Sequence, residues 1–222
     1  MAQYKVVEKF VSINGEGVCA GQLAVFIRFQ GCNLSCSYCD TAWANEEHAP
    51  FAWMTEQQIY EYIKETGIKN ITLTGGEPLL VPNIMQLLQL LAADPLLRVE
   101  IETNGSIDLL SFTGISNPPA FTMDYKLPGS LMESNMLVSN FKRLTRQDTV
   151  KFVVGDMNDL NRAADIIRTH DLTSTCHVYI SPVFGRIELE EIVDYLIQNR
   201  LNDVTMQLQM HKVIWEPDRR GV

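Results

Sequence analysis

Three cysteines with the spacing of metal ligands lie close together in the sequence: Cys32, Cys36 and Cys39. Three residues separate the first two and two residues separate the last two, so one short loop carries three thiols that can bind a soft metal centre. A structural zinc ion usually has four protein ligands, and the nearest further candidates, Asp40 and His48, match no usual zinc spacing. The spacing therefore favours an iron–sulfur cluster with one iron left open. The alternative is a zinc ion bound by the three cysteines and a distant histidine.

A second group that could take part in chemistry is the segment Gly75, Gly76, Glu77 and Pro78, which directly follows the predicted strand Ile71-Thr72-Leu73-Thr74. Two glycines allow the backbone to approach a ligand closely, and Glu77 offers an acceptor for an ammonium group. By itself such a segment is equally compatible with an ordinary turn between a strand and a helix. The segment indicates a ligand site only if the fold places it close to the cysteines.

The elements that must position these residues follow from the hydrophobic pattern. Short segments rich in β-branched and aromatic residues predict seven strands, at 24–29, 70–73, 98–102, 120–124, 149–154, 177–181 and 204–209. Between them we predict helices: one begins at a capping box on Thr55 and ends at Gly67, one follows Pro82, and two later ones surround Ala163 and Ile192. The segment 105–119 links two strands with Gly, Ser, Asn and Pro and at most one short helix.

Alternation of strands and helices predicts βαβ units and a parallel sheet. About six such units fit into 222 residues, whereas a complete eightfold barrel would be tight. We therefore expect an α/β fold, an open partial barrel of about six βα units. We expect residues 1–222 to form a single domain with a short N-terminal extension and a C-terminal tail near the site.

The unusual polar residues all follow strands in this prediction. Because the carboxyl ends of parallel strands form one edge of a barrel, we expect these residues to share one site. They are the three cysteines, the Gly-Gly-Glu segment, and Glu102, Asn104, Asp124, Lys126, Ser181, Gln209 and His211.

Composition excludes several classes of protein. With 18 Lys and Arg against 27 Asp and Glu, the net charge is −9, so nucleic acid is not expected as the main partner. The longest apolar stretch, 84–93, is too short to span a membrane, and the N-terminus has no apolar signal segment. An odd number of cysteines, five, favours reduced thiols and a cytoplasmic location. Of these five, Cys19 and Cys176 are expected to be small buried hydrophobes.

The cysteine spacing and the following Gly-Gly-Glu segment resemble the radical S-adenosylmethionine superfamily. That resemblance implies a [4Fe–4S] cluster on Cys32, Cys36 and Cys39. The open iron would bind the amino and carboxylate groups of S-adenosylmethionine, and one electron from the cluster would cleave this cofactor to give a 5′-deoxyadenosyl radical.

A narrower resemblance, to the 7-carboxy-7-deazaguanine synthases of queuosine biosynthesis, covers nearly the whole chain. It rests on blocks at 10–17, 26–34, 39–41, 101–105, 124–128 and 209–212. Many members have Gln where this chain has Asn14, and Ser-Pro where it has Asp124 and Tyr125, so individual contacts at these positions can differ. The resemblance implies conversion of 6-carboxy-5,6,7,8-tetrahydropterin to 7-carboxy-7-deazaguanine with loss of ammonia.

The same resemblance implies which residues contact each ligand. S-adenosylmethionine would contact Tyr38, Cys39, Asp40, Gly76, Asp124, Tyr125, Lys126 and Ser181. The pterin would contact Ile13, Asn14, Gly15, Arg28 and Thr74, and Thr41 would bind a Mg²⁺ ion.

Four further residues complete the predicted site, and three of them have two alternative roles. Glu77 is expected to accept from the ammonium group of S-adenosylmethionine. Arg28 sits in an apolar strand and must meet either the pterin carboxylate or a neighbouring glutamate. Glu16 either binds the guanidine-like edge of the pterin or closes a loop, and His211 belongs either to the substrate site or to the scaffold.

Two other functions fit the cysteine loop: an activase that generates a glycyl radical on a partner enzyme, and a non-enzymatic binding module held by zinc. For the synthase, the resemblance implies a flavodoxin-type electron donor. A homodimer is expected to cover the unpaired edge of an open barrel.

Overall fold

The computed structural model describes residues 2–222, and its centre is one sheet of nine strands. The strands are β1 (Gln3–Ile13), β2 (Leu23–Phe29), β3 (Ala52–Thr55), β4 (Asn70–Gly75), β5 (Arg98–Thr103), β6 (Ala120–Tyr125), β7 (Thr149–Val154), β8 (His177–Pro182) and β9 (Val204–Met206). Their order across the sheet is β3-β1-β2-β4-β5-β6-β7-β8-β9. Strands β2 and β4 to β9 are parallel, whereas β1 and β3 are antiparallel additions at one edge. The result is an open partial barrel, as predicted.

The helices connect successive strands. They are α1 (Ala42–Asn45), α2 (Glu56–Thr66), α3 (Ile84–Ala92), α4 (Met157–Thr169), α5 (Leu172–Thr175), α6 (Leu189–Gln198) and α7 (Met210–Ile214). The predicted capping box at the start of α2 is confirmed: the Thr55 hydroxyl accepts from the Gln58 N–H, and the Gln58 side chain accepts from the Thr55 N–H. Gly67 ends this helix in the left-handed conformation, with φ of 69°. None of the helices in the described chain is both long enough and apolar enough to cross a bilayer.

All seven predicted strands are present, but two strands were not predicted. β1 carries Lys5, Glu8 and Lys9 among its apolar residues, which obscures its period, and β3 has only four residues. The last predicted strand ends at Met206 instead of continuing to 209, and the side chain of Gln207, just beyond this end, hydrogen-bonds the backbone of Gly17. The segment 105–119 contains one short 3₁₀ turn, as expected.

The two faces of the sheet differ in polarity. Side chains on the outer face belong to the hydrophobic core and include Ile71, Leu73, Ile101, Phe121, Val150 and Phe152. Side chains on the inner face are polar and contact one another or the loop after β1; they include Thr72, Thr74, Glu100, Glu102, Thr122, Asp124 and Lys151. The alternation along each strand therefore places apolar groups in the core and chemically active groups inside the barrel.

Candidate active site

A cavity of about 930 Å³ opens at the carboxyl ends of the parallel strands. This volume is near the upper limit for small-molecule pockets, roughly 300–1,000 Å³. Most of the predicted site residues line it: Ile13, Gly15, Glu16, Arg28, Cys32, Cys36, Tyr38, Cys39, Asp40, Thr41, Thr74, Gly76, Asp124, Lys126 and His211. Four do not: Asn14, Glu77, Tyr125 and Ser181. The predicted convergence on one edge of the barrel is thus confirmed for most of these residues.

The three thiols of the cysteine loop face this cavity. The Leu34 N–H and the Asn104 amide donate to the sulfur of Cys32, at 3.4 and 3.6 Å. Burial raises the pKa of Cys36 and of Cys39, and a coordinating metal would replace the proton on each sulfur. Within residues 2–222, no three His, Cys, Asp or Glu side chains are grouped tightly enough to share a single ion. A cluster takes one thiolate on each iron, so this donor set fits an iron–sulfur cluster.

The cysteine loop is held by the turn that follows β6. The Ser37 N–H donates to the Ser130 carbonyl at 3.1 Å, and the Ser37 hydroxyl donates to the Gly129 carbonyl at 2.6 Å. The turn itself is fixed by Asp159, a fully buried carboxylate near the start of α4, which accepts from the N–H groups of Gly129 and Gly155 at 2.8 and 2.9 Å. Sequence reasoning missed Asp159, because its partner Gly129 lies 30 residues away, in the turn after β6.

The two glycines after β4 are required by packing between strand ends. A Cβ on Gly75 would lie 2.3 Å from the Phe29 carbonyl oxygen, and one on Gly76 would lie 1.9 Å from the Gly31 carbonyl oxygen. The carboxyl ends of β2 and β4 can therefore approach only if both residues lack a side chain. This brings Gly76 to the cavity wall beside the cysteine loop.

Glu77 joins the end of β4 to the end of β5. Its fully buried carboxylate accepts from the N–H groups of Leu79 and Asn104, at 3.1 and 2.7 Å, and from the Thr103 hydroxyl at 2.9 Å. Burial raises its pKa, although these three donors oppose that shift. The expected contact of Glu77 with an ammonium group does not match this position, because the carboxylate is enclosed by protein and lies off the cavity.

Asp124 and Lys126 form an ion pair of 2.8 Å on the cavity wall. Lys151, from the neighbouring strand, is 3.7 Å from the same carboxylate. Burial alone would raise the pKa of Asp124, but these two cations lower it below its ordinary value. Its Oδ1 is buried and has no hydrogen-bond partner within residues 2–222, so it can accept from a ligand in the cavity. Tyr125 lies between Asp124 and Lys126 in the sequence, but its ring packs against Phe141 and Phe152.

The loop after β1 crosses the inside of the barrel. Asn14 accepts from the Thr72 hydroxyl at 2.8 Å and donates to Glu100 at 3.3 Å, so it is buried beneath the cavity. The carboxylate of Glu16, in contrast, lines the cavity and accepts from Lys151 at 3.0 Å.

The remaining contacts of Glu16 involve two other side chains, those of Ser181 and Gln209. Its carboxylate also accepts from the Ser181 hydroxyl at 3.0 Å and from the Gln209 amide at 3.3 Å. Ser181, expected to contact S-adenosylmethionine, therefore positions Glu16.

Arg28 already has one of its two expected partners, and it also lies on the cavity wall. Its Nε donates to Glu8 at 3.0 Å, across the antiparallel pair of β1 and β2, so the neighbouring glutamate is present. Both side chains also line the cavity. Since the bond to Glu8 uses Nε, the two terminal nitrogens are left for another acceptor.

Thr41 and His211 both line the cavity, although they lie far apart in the sequence. The Thr41 hydroxyl donates to Asp40 at 2.9 Å, which leaves the lone pairs of its oxygen for a hard cation. His211 packs its Nδ1 3.0 Å from the point where a Cβ of Gly15 would lie, so the loop after β1 needs glycine there. Burial lowers the pKa of His211 and favours the neutral imidazole.

Some cavity residues were not predicted to belong to the site. Glu8 and Lys151 line the cavity, as does the tail 217–222, where Arg220 lies 3.9 Å from the ring centre of Trp43. For Glu8 and Lys151, the available signal was a charged residue within an apolar strand. The expectation for Cys176, which is buried, is confirmed, whereas that for Cys19 is wrong because Cys19 is partly exposed.

Comparison with known proteins agrees with this geometry. Residues 26–111 match the family model described as the radical SAM superfamily. The chain is 61% identical over 219 residues to the 7-carboxy-7-deazaguanine synthase of Clostridium acetobutylicum, covering 99% of both chains. It is 34% identical over 224 residues to that of Chlorobaculum tepidum, covering 100% of this chain and 98% of the relative. The crystal structure of QueE from Escherichia coli has the same fold, with a TM-score of 0.73 at 22% identity over 92% of this chain and 94% of that one.

Proposed function

The chain belongs to the 7-carboxy-7-deazaguanine synthase family of radical S-adenosylmethionine enzymes, and from this premise we propose the reaction that it catalyses. It converts 6-carboxy-5,6,7,8-tetrahydropterin to 7-carboxy-7-deazaguanine and ammonia, in queuosine biosynthesis. One observation carries the proposal: the match at 61% identity extends over 99% of the chain and so includes the cysteine loop and the cavity strands. Family membership decides against the glycyl-radical activase and the zinc-held module.

The family implies a [4Fe–4S] cluster and S-adenosylmethionine. When bound, the reduced cluster supplies the electron that cleaves S-adenosylmethionine and so generates the radical that takes a hydrogen atom from the substrate. Cys32, Cys36 and Cys39 would hold the cluster. The donors from Leu34 and Asn104 would stabilise negative charge on the sulfur of Cys32.

Other residues of the cavity wall would bind S-adenosylmethionine. They are Tyr38, Cys39, Asp40, Gly76, Asp124 and Lys126, all of which line the cavity. The unpaired Oδ1 of Asp124 supports this assignment, since a ligand hydroxyl or N–H would satisfy it. Lys126 would bind the carboxylate of the cofactor.

Arg28 would bind the pterin carboxylate with its terminal nitrogens, while Glu8 fixes its orientation. Glu16 would accept from the guanidine-like edge of the ring. Ile13, Gly15, Thr74 and His211 would complete the pterin site, and Asn14 would support it from below.

Thr41 would bind Mg²⁺ through its hydroxyl oxygen, with substrate oxygens and water as further ligands. The contact with Asp40 supports this, because it orients the hydroxyl proton away from the incoming cation.

The wider setting follows the same reasoning. We place the enzyme in the cytoplasm, since free thiols and an iron–sulfur cluster need a reducing compartment. Residues 1–222 would act as one catalytic domain. Electrons would come from a flavodoxin-type donor, and a homodimer would cover an exposed sheet edge at β3 or β9.

The test is an anaerobic assay of the reconstituted protein with the tetrahydropterin, S-adenosylmethionine, Mg²⁺ and a chemical reductant. We expect a brown protein that forms carboxydeazaguanine and ammonia in equal amounts. An iron-loaded protein that cleaves S-adenosylmethionine but never forms carboxydeazaguanine would contradict the proposed reaction while leaving the superfamily chemistry in place.

A further inference from the structure

Four charged side chains form an unbroken row across the cavity wall: Glu16, Lys151, Asp124 and Lys126. The successive nitrogen–oxygen distances are 3.0, 3.7 and 2.8 Å. All four side chains are at most 19% exposed, and all line the cavity. The row therefore consists of two close pairs joined by one longer contact between Lys151 and Asp124.

The fold explains why Lys151 stands in the middle of this row. Lys151 and Asp124 are direct register partners on the parallel strands β7 and β6, so their side chains emerge side by side inside the barrel. Glu16 reaches the same ammonium group from the loop after β1. Burial by itself would lower the pKa of Lys151, but Glu16 and Asp124 raise it, so the side chain stays charged.

The two ends of the row face different ligands in the function proposed above. Glu16 is the anionic end, which a pterin N–H group would approach, and Lys126 is the cationic end, which the carboxylate of S-adenosylmethionine would approach. Without ligands, each end is paired with its inner neighbour, Lys151 or Asp124. A ligand at either end must therefore compete with a pair that is already formed.

We propose that Lys151 couples pterin binding to S-adenosylmethionine binding by exchanging one carboxylate partner for the other. This inference rests on the proposed function. When a pterin binds Glu16, Lys151 pairs with Asp124 instead of with Glu16. Asp124 then has a cationic partner other than Lys126. Lys126 becomes free for the carboxylate of S-adenosylmethionine, so the second ligand binds more tightly.

The reverse order gives the same result. When the carboxylate of S-adenosylmethionine binds Lys126, Asp124 pairs with Lys151. Glu16 is then free to bind the pterin. Linkage requires that each ligand raise the affinity of the other by the same factor. A row that merely braces the barrel would give no such factor.

The experiment is isothermal titration under anaerobic conditions with reconstituted enzyme and no reductant, so that the ligands bind without turnover. The dissociation constant of S-adenosylmethionine is measured with and without saturating 6-carboxy-5,6,7,8-tetrahydropterin, and that of the pterin with and without S-adenosylmethionine. We expect each ligand to tighten the other by at least about fivefold, with equal factors in both directions. If both ligands bind the wild-type protein independently, the inference fails and the proposed function stands. If the pterin does not bind at all, the proposed function itself fails.

Three variants separate coupling from folding. Lys151→Met keeps the length of the side chain but removes its charge, and should reduce the factor to about one. Lys151→Arg keeps the charge and should retain most of the factor. Lys142→Met, at an exposed lysine on the surface, is the matched control and should keep the wild-type value.

Iron content and melting temperature are measured for every variant, so that loss of coupling is read only from folded, loaded protein. Should Lys151→Met not fold, the wild-type titrations and Lys151→Arg still decide the question. A wild-type factor in Lys151→Met, or a factor of one in Lys151→Arg with both ligands bound, would overturn the proposal.

Discussion

The cysteine loop and the loop after β1 both supply side chains to the cavity, but they are held in opposite ways. The cysteine loop is fixed by Ser37, through hydrogen bonds to the turn after β6, and its three thiols have few contacts of their own. The loop after β1 is held by its functional side chains as well as through its backbone: Asn14 and Glu16 contact side chains inside the barrel, and Gln207 hydrogen-bonds the backbone of Gly17.

This difference predicts different behaviour on ligand binding and on mutation. A loop that is braced by other residues presents its ligating atoms in place, so metal binding needs little rearrangement. A loop that is held by buried charges must exchange partners when a ligand arrives, and removal of one charge leaves its partner unpaired in a poorly solvated site. Mutations in the first loop should therefore remove function without unfolding, whereas mutations in the second should affect stability as well.

The largest effect is expected at the cysteine loop. Replacing Cys39 by Ala should abolish the brown chromophore and all cleavage of S-adenosylmethionine, because the cluster then lacks one of its three protein ligands, yet the chain should remain folded. Absorbance, iron content and circular dichroism measure these effects. Cys19→Ala is the control and should keep its cluster. Iron loss from the Cys19 variant with retention by the Cys39 variant would show that the ligands are wrongly assigned.

Arg28→Ala should weaken pterin binding by a factor of tens to several hundred. Removing a charge-assisted hydrogen bond from a water-poor site costs on the order of 2 to 4 kcal/mol. Titration with the tetrahydropterin measures the affinity, and slow cleavage of S-adenosylmethionine without substrate should persist. Glu8→Gln, which keeps an acceptor for the Arg28 Nε, should cost much less. Wild-type pterin affinity in the Arg28 variant would mean that Arg28 serves only its ion pair with Glu8.

Glu100→Gln tests the charged packing beneath the loop after β1. Burial, and then the nearby Glu102, raise the pKa of Glu100 to about 7, from an ordinary value of 4.5. Because the folded state holds this proton more tightly than the unfolded state, the wild-type protein should lose roughly 3 kcal/mol of stability as the pH rises from 4.5 through about 7.

The variant lacks this titration, so its melting temperature should fall less than that of the wild type as the pH is raised from about 5 to about 7.5. Glu190→Gln, at an exposed position, should follow the wild-type curve. Parallel curves for wild type and Glu100→Gln would show that Glu100 ionises with its ordinary pKa.

The smallest effect is expected for Thr41→Ala, which removes one neutral oxygen ligand without touching a thiol. The cluster should be retained, and the Mg²⁺ concentration needed for half-maximal activity should rise several-fold. Activity across a Mg²⁺ titration measures it, with Thr66→Ala on α2 as a control away from the cavity. An unchanged requirement for Mg²⁺ would return Thr41 to a role at the start of α1.

Local patterns were sufficient to predict much of this protein. The period of the apolar residues predicted the seven parallel strands, the capping box predicted the start of α2, and cysteine spacing predicted the metal-binding loop. These features depend on residues within a few positions of one another, so they can be recognised without knowledge of the fold. The resemblance to a family then linked these local features to a reaction.

Two other predicted site residues lie off the cavity, where groups distant in the sequence hydrogen-bond their side chains. Glu77 follows two glycines in a way typical of a ligand contact, but donors from the end of β5 enclose its carboxylate. Ser181 lies at the end of a strand, as a site residue should. Its hydroxyl, however, donates a hydrogen bond to Glu16, which is 165 residues away in the sequence.

By itself, the sequence determined most of the residues that line the cavity, the parallel strands that they follow, and that they meet at one edge of a parallel barrel. Only the tertiary structure decided which charges pair: Glu16 with Lys151, Asp124 with Lys126, and Arg28 with Glu8. The physical reason is that the cost of burying a charge depends on every group around it, and those groups come from strands and loops far apart in the chain.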